Sequence, residues 1–129
     1  MLNYDWYKTL IQPPLAPPGW LFAPVWTVLY ILMLVSLFFY AIERTNKDKS
    51  WGCVLFFLQL ILNFIWSPVF FGMKNIALAL VIVILLDILV FWNIIEFFKV
   101  SKKSGIILIP YLVWILFATY LNIGLLILN

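Results

Sequence analysis

Residues 20–42 read WLFAPVWTVLYILMLVSLFFYAI and contain no charged side chain. A helix rises 1.5 Å per residue, so this run is long enough to cross the roughly 30 Å hydrocarbon core of a bilayer. Three further apolar runs follow at residues 51–71, 76–98 and 105–128. Membrane strands alternate polar and apolar residues, so unbroken runs favour helices. The sequence predicts an all-α integral membrane bundle of four transmembrane helices, in one domain over residues 1–129.

The composition excludes several classes of protein. Hydrophobic residues make up 67% of the chain and charged residues 10%, whereas soluble domains have about 45–50% and 25%. A soluble fold of this size could not bury so much apolar surface. The net charge of +3 is spread over loops, which indicates membrane topology and not nucleic-acid binding. With no histidine and a lone cysteine, Cys53, we expect no metal site and no cofactor.

The basic residues predict an orientation in the membrane. Those in the connections between the first two and the last two runs are Arg44, Lys47, Lys49, Lys99, Lys102 and Lys103. The opposite side has only Lys8 and Lys74. The positive-inside rule therefore places both connections in the cytoplasm and both termini outside.

Polar and aromatic residues recur at helical spacing in three of the runs. Such spacing places each set on one helix face, and amides facing lipid would lack partners, so the faces should turn inward. They either hydrogen-bond the helices together or line a cavity suited to a flat apolar ligand. The three sets are Trp26, Tyr30 and Met33; Gln59, Asn63 and Ser67; and Trp114, Ala118 and Asn122.

Asp87 lies at the midpoint of the third run. A carboxylate is costly at this depth, so we expect the side chain to face protein. It is either a ligand or proton-linked group, or a protonated carboxyl that is hydrogen-bonded to a neighbouring helix.

Two prolines interrupt the apolar runs. Pro68 follows Ser67, and Pro110 lies one turn into the last run. A proline removes one helical hydrogen bond. The resulting kink either widens the bundle into a pocket or fits neighbouring helices together.

Three stretches carry a family resemblance. They are WYKTLIQPPLAPPGWLFAPVWTVLYILM at residues 6–33, QLILNFIWSPVFF at 59–71 and PYLVWILFATYLN at 110–122. Together they resemble the tryptophan-rich sensory protein / translocator protein family, once called the peripheral benzodiazepine receptor family. The resemblance runs from Trp6 to Asn129.

The resemblance implies a compact helical protein, usually a homodimer, which we expect in a bacterial cell membrane. It implies binding of porphyrins such as protoporphyrin IX, or other hydrophobic small molecules, within the bundle. The stiff, proline-rich segment at residues 1–19 would be a lid over the site. The ligand-binding residues that it implies are Trp6, Tyr7, Trp26, Asn63, Ser67, Trp114, Phe117, Ala118 and Asn122, to which helical spacing adds Tyr30.

Three functions stay open. The first is a porphyrin receptor, sensor or carrier. The second, implied by the resemblance, is light- and oxygen-dependent porphyrin breakdown with Trp26 and Trp114 as participants. The sequence offers no conventional catalytic residues, because it has neither histidine nor an evident nucleophile–base pair. The third is a structural or regulatory membrane subunit.

Family members usually have five helices, and the proline-rich loop joins the first to the second. Here Met1–Asp5 precede Trp6, so the four runs correspond to the second to fifth helices and we expect the first to be missing, either because this is a naturally short member or because the start is truncated. The missing wall would open the pocket to lipid or be replaced by a neighbouring subunit. The lid would be loosely held.

Overall fold

The computed structural model describes residues 4–14 and 19–129. Within these ranges the protein contains helices and no strands, and four of the helices are long and apolar enough to cross a membrane. The all-α membrane bundle is thereby confirmed. The elements are α1 (Tyr4–Thr9), a 3₁₀ turn (Gly19–Leu21), α2 (Phe22–Ile42), α3 (Ser50–Ser67), a π-helical turn (Pro68–Gly72), α4 (Ile76–Val100) and α5 (Lys102–Leu128).

The last two helices begin at polar caps. Asn75 caps α4 by accepting the backbone N–H of Leu78 at 3.0 Å. Ser101 caps α5 by accepting the N–H of Ser104 at 3.3 Å. Such caps satisfy backbone donors that a helix start leaves unpaired. Helix α5 therefore begins at Lys102, three residues before the start expected from hydropathy, and a single residue separates it from α4.

The membrane helices pack in the order α2–α5–α4–α3. Ser36 and Ser104 join α2 to α5, each hydroxyl lying within 2.7–2.8 Å of the other residue's backbone oxygen. Helices α2 and α3 make no extensive backbone contact, and side chains bridge the space between them. One bridge is a hydrogen bond from the Tyr30 hydroxyl to Asn63 Oδ1. Over the described residues, α2 and α3 are therefore the two ends of this packing order.

The N-terminal segment is not all loop, which corrects the expectation for residues 1–19. Residues 4–9 form α1, and Tyr7 on this helix is 1% exposed. Its ring meets Phe22 and Phe71 edge-on, with centroids 5.4 and 6.2 Å apart. Burial raises the pKa of the Tyr7 phenol. A helix this short is unstable alone, so its packing against the bundle stabilises it.

The chain after α1 is held by α5, which differs from the loosely held lid expected above. The side-chain amide of Asn129 pairs with the backbone of Ile11, accepting its N–H at 3.0 Å and donating to its carbonyl at 2.9 Å. The Tyr120 hydroxyl donates to the carbonyl of Pro14 at 2.6 Å. The rest of the expected lid, residues 1–3 and 15–18, lies outside the described residues.

Gly124 gives a test of this attachment. A Cβ at Gly124 would lie 2.7 Å from Pro13 Cβ, whereas a Cβ at Gly72 would meet no atom within 4 Å. We expect Gly124→Ala to displace residues 11–14 and to speed tryptic cleavage after Lys8 several-fold, as read by mass spectrometry. Gly72→Ala is the matched control and should cleave like the wild type. Equal rates in the two variants would show that α5 does not hold the segment.

Candidate functional site

A cavity of about 440 Å³ lies between α2 and the last turns of α3. It begins at the α1 end of the bundle and reaches Tyr30, eight residues or roughly 12 Å deeper along α2. Among the residues that the structure describes, no charged side chain lines it. The lining residues are Phe22, Ala23, Trp26, Tyr30, Asn63, Phe64, Trp66, Ser67, Pro68 and Phe71.

Four of the residues expected in a ligand site meet in this cavity: Trp26, Tyr30, Asn63 and Ser67. Trp26 and Tyr30 lie one turn apart on α2, with ring centroids 5.9 Å apart. Asn63 and Ser67 lie one turn apart on α3. The spacing within each run therefore placed these pairs on the faces that meet across the α2–α3 gap.

The expected residues from α5 lie behind the cavity wall. Trp114 meets Trp26 edge-on, with centroids 6.4 Å apart. Ala118 is buried in the core. Asn122 accepts the indole N–H of Trp66 at 3.1 Å and donates to the carbonyl of Ile76 at 2.9 Å. Its amide therefore joins α5 to α3 and α4.

The remaining expected residues also lie outside the cavity lining. Tyr7 backs Phe22 and Phe71, two of the lining rings. Trp6 packs on Phe70 in the π turn, with centroids 5.4 Å apart. Phe117 packs against Trp114 at 5.7 Å. These side chains support the cavity from its α1 end and from α5.

A chain of buried hydrogen bonds closes the deep end of the cavity. Tyr30 donates to Asn63, whose Nδ2 donates to the Tyr111 hydroxyl at 2.9 Å, and Tyr111 donates to Gln59 Oε1 at 2.6 Å. Gln59 Nε2 lies 3.8 Å from the sulfur of Met33. The chain links α2, α3 and α5. These contacts support the interpretation that Gln59 and Asn63 hydrogen-bond the helices together.

Ser67 differs from its neighbours in this polar row. Its hydroxyl oxygen is buried and has no hydrogen-bond partner among the described residues. A buried polar group without a partner costs about 1–3 kcal/mol. Because Ser67 lines the cavity, a ligand with a polar atom at this point would remove that penalty.

Sequence reasoning missed much of the wall, including Phe22 and Trp66. The sequence did contain a pattern that could have indicated part of this wall, because Phe64, Pro68 and Phe71 follow the i, i+4, i+7 spacing of one helix face. Aromatic residues are so frequent in this chain, at 19%, that such spacing selects no unique face.

Asp87 lies outside the cavity; its Oδ2 contacts Thr119 on α5, and its buried Oδ1 has no hydrogen-bond partner among the described residues. Thr119 Oγ1 lies 2.5 Å from Asp87 Oδ2 and 2.8 Å from the carbonyl oxygen of Ile115. A threonine hydroxyl has one proton and cannot donate to both. A protonated Asp87 satisfies both contacts, because it donates to Thr119 and Thr119 donates to Ile115.

The Asp87–Thr119 contact predicts that removing one partner destabilises the protein more than removing both. Thr119→Val leaves the carboxyl of Asp87 without its partner and should lower the free energy of unfolding by about 1–3 kcal/mol. The double variant Thr119→Val/Asp87→Leu removes both groups and should recover most of that loss. Denaturant unfolding in detergent micelles measures both. A double variant less stable than the single one would contradict a purely structural pair.

Comparisons with known proteins place the chain in a family. The TspO/MBR family model matches residues 2–128. The chain is 43% identical over 125 residues to the tryptophan-rich protein TspO of Chlorobaculum tepidum, covering 96% of this chain and 79% of that protein. It is 37% identical over 119 residues to the tryptophan-rich sensory protein of Cereibacter sphaeroides, covering 92% and 73%.

A more distant relative extends the match beyond bacteria. The chain is 33% identical over 122 residues to the translocator protein of Bos taurus, covering 93% of this chain and 72% of that protein. The family resemblance of the three quoted stretches is thereby confirmed. With its apolar helices and its matched length, this integral membrane protein belongs to the TspO/MBR family.

Proposed function

We propose that this protein binds porphyrins, such as protoporphyrin IX, and similar flat apolar molecules, as a membrane receptor, sensor or carrier. The observation that carries the proposal is the aromatic cavity of about 440 Å³ with one unpaired hydroxyl, that of Ser67. The sensory and translocator names of its relatives support a receptor-like role.

Aromatic walls on both sides suit a flat ligand. Trp26 and Tyr30 form the α2 wall, with ring planes tilted by 33°. Trp66 and Phe71 belong to the opposite wall and meet edge-on at 6.0 Å. A planar ring system between these walls would make offset or edge contacts worth about 0.5–1.5 kcal/mol each beyond burial. Stacking would therefore supply most of the affinity.

The polar groups of the cavity limit how a ligand is oriented. The Asn63 amide is used by Tyr30 and Tyr111, whereas the Ser67 hydroxyl is available. None of the described side chains that line the cavity is charged. Ionised carboxylates of a porphyrin would be costly there. They should remain at the membrane surface while the ring enters the cavity.

Titration of protoporphyrin IX into the purified protein tests the proposal through tryptophan fluorescence. Saturable quenching is expected, and Trp26→Leu should raise Kd about 2- to 10-fold because one aromatic wall contact is lost. Trp92→Leu is the control, since Trp92 is 41% exposed and packs on Trp51 away from the cavity. Wild-type protein without saturable quenching would refute porphyrin binding.

One contact favours porphyrin breakdown as a second candidate function. Trp26 lines the cavity, and the Trp114 ring contacts the Trp26 ring edge-on. Two indoles would therefore lie close to a bound, light-excited porphyrin ring. We expect Trp26→Phe and Trp114→Phe to slow the decay of illuminated protoporphyrin IX in the presence of oxygen. Absorbance at equal ligand occupancy measures the decay. Unchanged decay in both variants would remove this candidate.

The proposal includes an orientation and an assembly. Six basic residues lie in the connection after α2 or in the helix ends beside Ser101, the single residue between α4 and α5, against Lys8 and Lys74 at the other end. This asymmetry supports a cytoplasmic position for both connections and outside termini. A homodimer in a bacterial cell membrane is proposed on the family resemblance.

A further inference from the structure

A chain of hydrogen bonds runs from the floor of the cavity into the core of the bundle. In order, its members are Tyr30, Asn63, Tyr111 and Gln59, and Gln59 ends beside the sulfur of Met33. Tyr30 lines the cavity and is half-buried, whereas the other four side chains are at most 4% exposed. Tyr30 is therefore the member of the chain that a ligand meets most readily.

The hydrogen bonds of this chain all run in one direction, because each tyrosine hydroxyl has a single proton. Tyr30 donates to Asn63 Oδ1, and Asn63 Nδ2 donates to the Tyr111 oxygen at 2.9 Å. Tyr111 in turn donates to Gln59 Oε1 at 2.6 Å. The Tyr30 proton is thereby used inside the protein, and the Tyr30 oxygen keeps lone pairs that can accept a hydrogen bond from a ligand.

The opposite direction would give the cavity floor the opposite chemistry. If both amides turned by 180° about their terminal bonds, Gln59 would donate to Tyr111 and Tyr111 would donate to Asn63. The Asn63 amide would then donate to the Tyr30 oxygen. The Tyr30 proton would be released, so the hydroxyl would offer a donor to the ligand.

The contact between Gln59 and Met33 decides between the two directions. Gln59 Nε2 lies 3.8 Å from the Met33 sulfur, and a thioether sulfur accepts a hydrogen bond weakly but has no proton to give. In the opposite direction, Gln59 Oε1 would face that sulfur and find no donor. Gln59 is 0% exposed, and an unpaired acceptor is costly at such a position. Met33 therefore favours the direction in which the Tyr30 oxygen is the acceptor.

We infer that Tyr30 accepts a hydrogen bond from the ligand, and that Gln59 and Met33 fix this role from outside the cavity. The inference rests on the proposed function and narrows its ligand class. The ligand is a flat apolar molecule with an N–H or O–H group at the edge that meets Tyr30. Gln59 and Met33 are positioning residues, because neither lines the cavity.

The other available hydroxyl of the cavity does not select in this way. Ser67 Oγ has no partner among the described residues, and a serine hydroxyl can rotate to donate or to accept. It can therefore pair with either kind of ligand atom. In Ser67→Ala protein, the contribution of Tyr30 can be measured without this second hydroxyl.

Three tricyclic probes of nearly equal shape test the role of Tyr30 by calorimetric titration of the Ser67→Ala protein. Carbazole has an N–H group where fluorene has CH₂ and 9-fluorenone has a carbonyl. Adding Tyr30→Phe should lower the preference for carbazole over fluorene about 2- to 10-fold, because one hydrogen bond is lost. Each preference is compared between variants, so partition of the probes into detergent cancels.

Tyr40→Phe is the matched control for Tyr30→Phe. Tyr40 is also a tyrosine of α2, but its hydroxyl donates to the carbonyl of Lys49 at 3.0 Å, ten residues beyond Tyr30. Its loss should leave the preference for carbazole unchanged. A preference that Tyr30→Phe does not lower, or the absence of saturable carbazole binding, would overturn the inference.

Gln59→Met tests the positioning role in the same background. Without Gln59 Oε1, Tyr111 should donate to Asn63, whose amide then turns and releases the Tyr30 proton. Affinity should therefore shift several-fold from carbazole towards 9-fluorenone. A merely structural role for Gln59 would weaken both probes equally, and that result would overturn the positioning role.

Met33→Leu repeats this test with a smaller change in the core. Without the sulfur, neither end of the Gln59 amide has a partner at this position, so the two directions become closer in free energy. The ratio of carbazole to 9-fluorenone affinity should fall in the same sense as in Gln59→Met. An unchanged ratio in Met33→Leu would overturn the role of the sulfur, even if Gln59→Met did not fold.

The porphyrin titration distinguishes failure of this inference from failure of the proposed function. A Tyr30-dependent preference for carbazole without saturable protoporphyrin IX binding would refute porphyrin binding and leave the acceptor role of Tyr30 standing. Saturable protoporphyrin IX binding without that preference would support the proposed function and overturn the acceptor role.

Discussion

The hydrogen-bond chain from Tyr30 through Asn63 and Tyr111 to Gln59 is the constraint on which the bundle depends. Inside a membrane, apolar burial does not drive helices together, because lipid tails are as apolar as leucine side chains. Helices α2 and α3 have little backbone contact, so these side chains fix their separation. The same bonds place the floor of the cavity at the depth of Tyr30.

Above that floor, the space between α2 and α3 is filled neither by backbone packing nor by a polar link. Aromatic rings line it because the two helix faces that meet there are rich in them. Rings from α1 and the π turn support the wall from the α1 end. Over the described residues, the cavity has rings on three sides, and the exposed Phe64 ring lies at its fourth.

Local signals were sufficient for some features and insufficient for others. Hydropathy placed the spanning helices within a few residues, because lipid permits few other backbone conformations. Helical spacing brought Trp26, Tyr30, Asn63 and Ser67 to one cavity. It could not separate Ser67, whose hydroxyl has no partner among the described residues, from Asn63, whose amide oxygen and nitrogen each have one. That difference depends on partners distant in the chain, such as Tyr111.

The sequence by itself determined the membrane class, the spans and the inward helix faces, because each follows from length, hydropathy and a 3.6-residue period. Tertiary structure alone decided that α1 forms, that α5 holds residues 11–14, and that α2 and α3 stand apart. Each of these depends on contacts between segments more than 30 residues apart in the chain or, for α1, on burial against the bundle. The unbroken run at residues 20–42 therefore predicted a helix, and the packing order decided which side of it faces an open cavity.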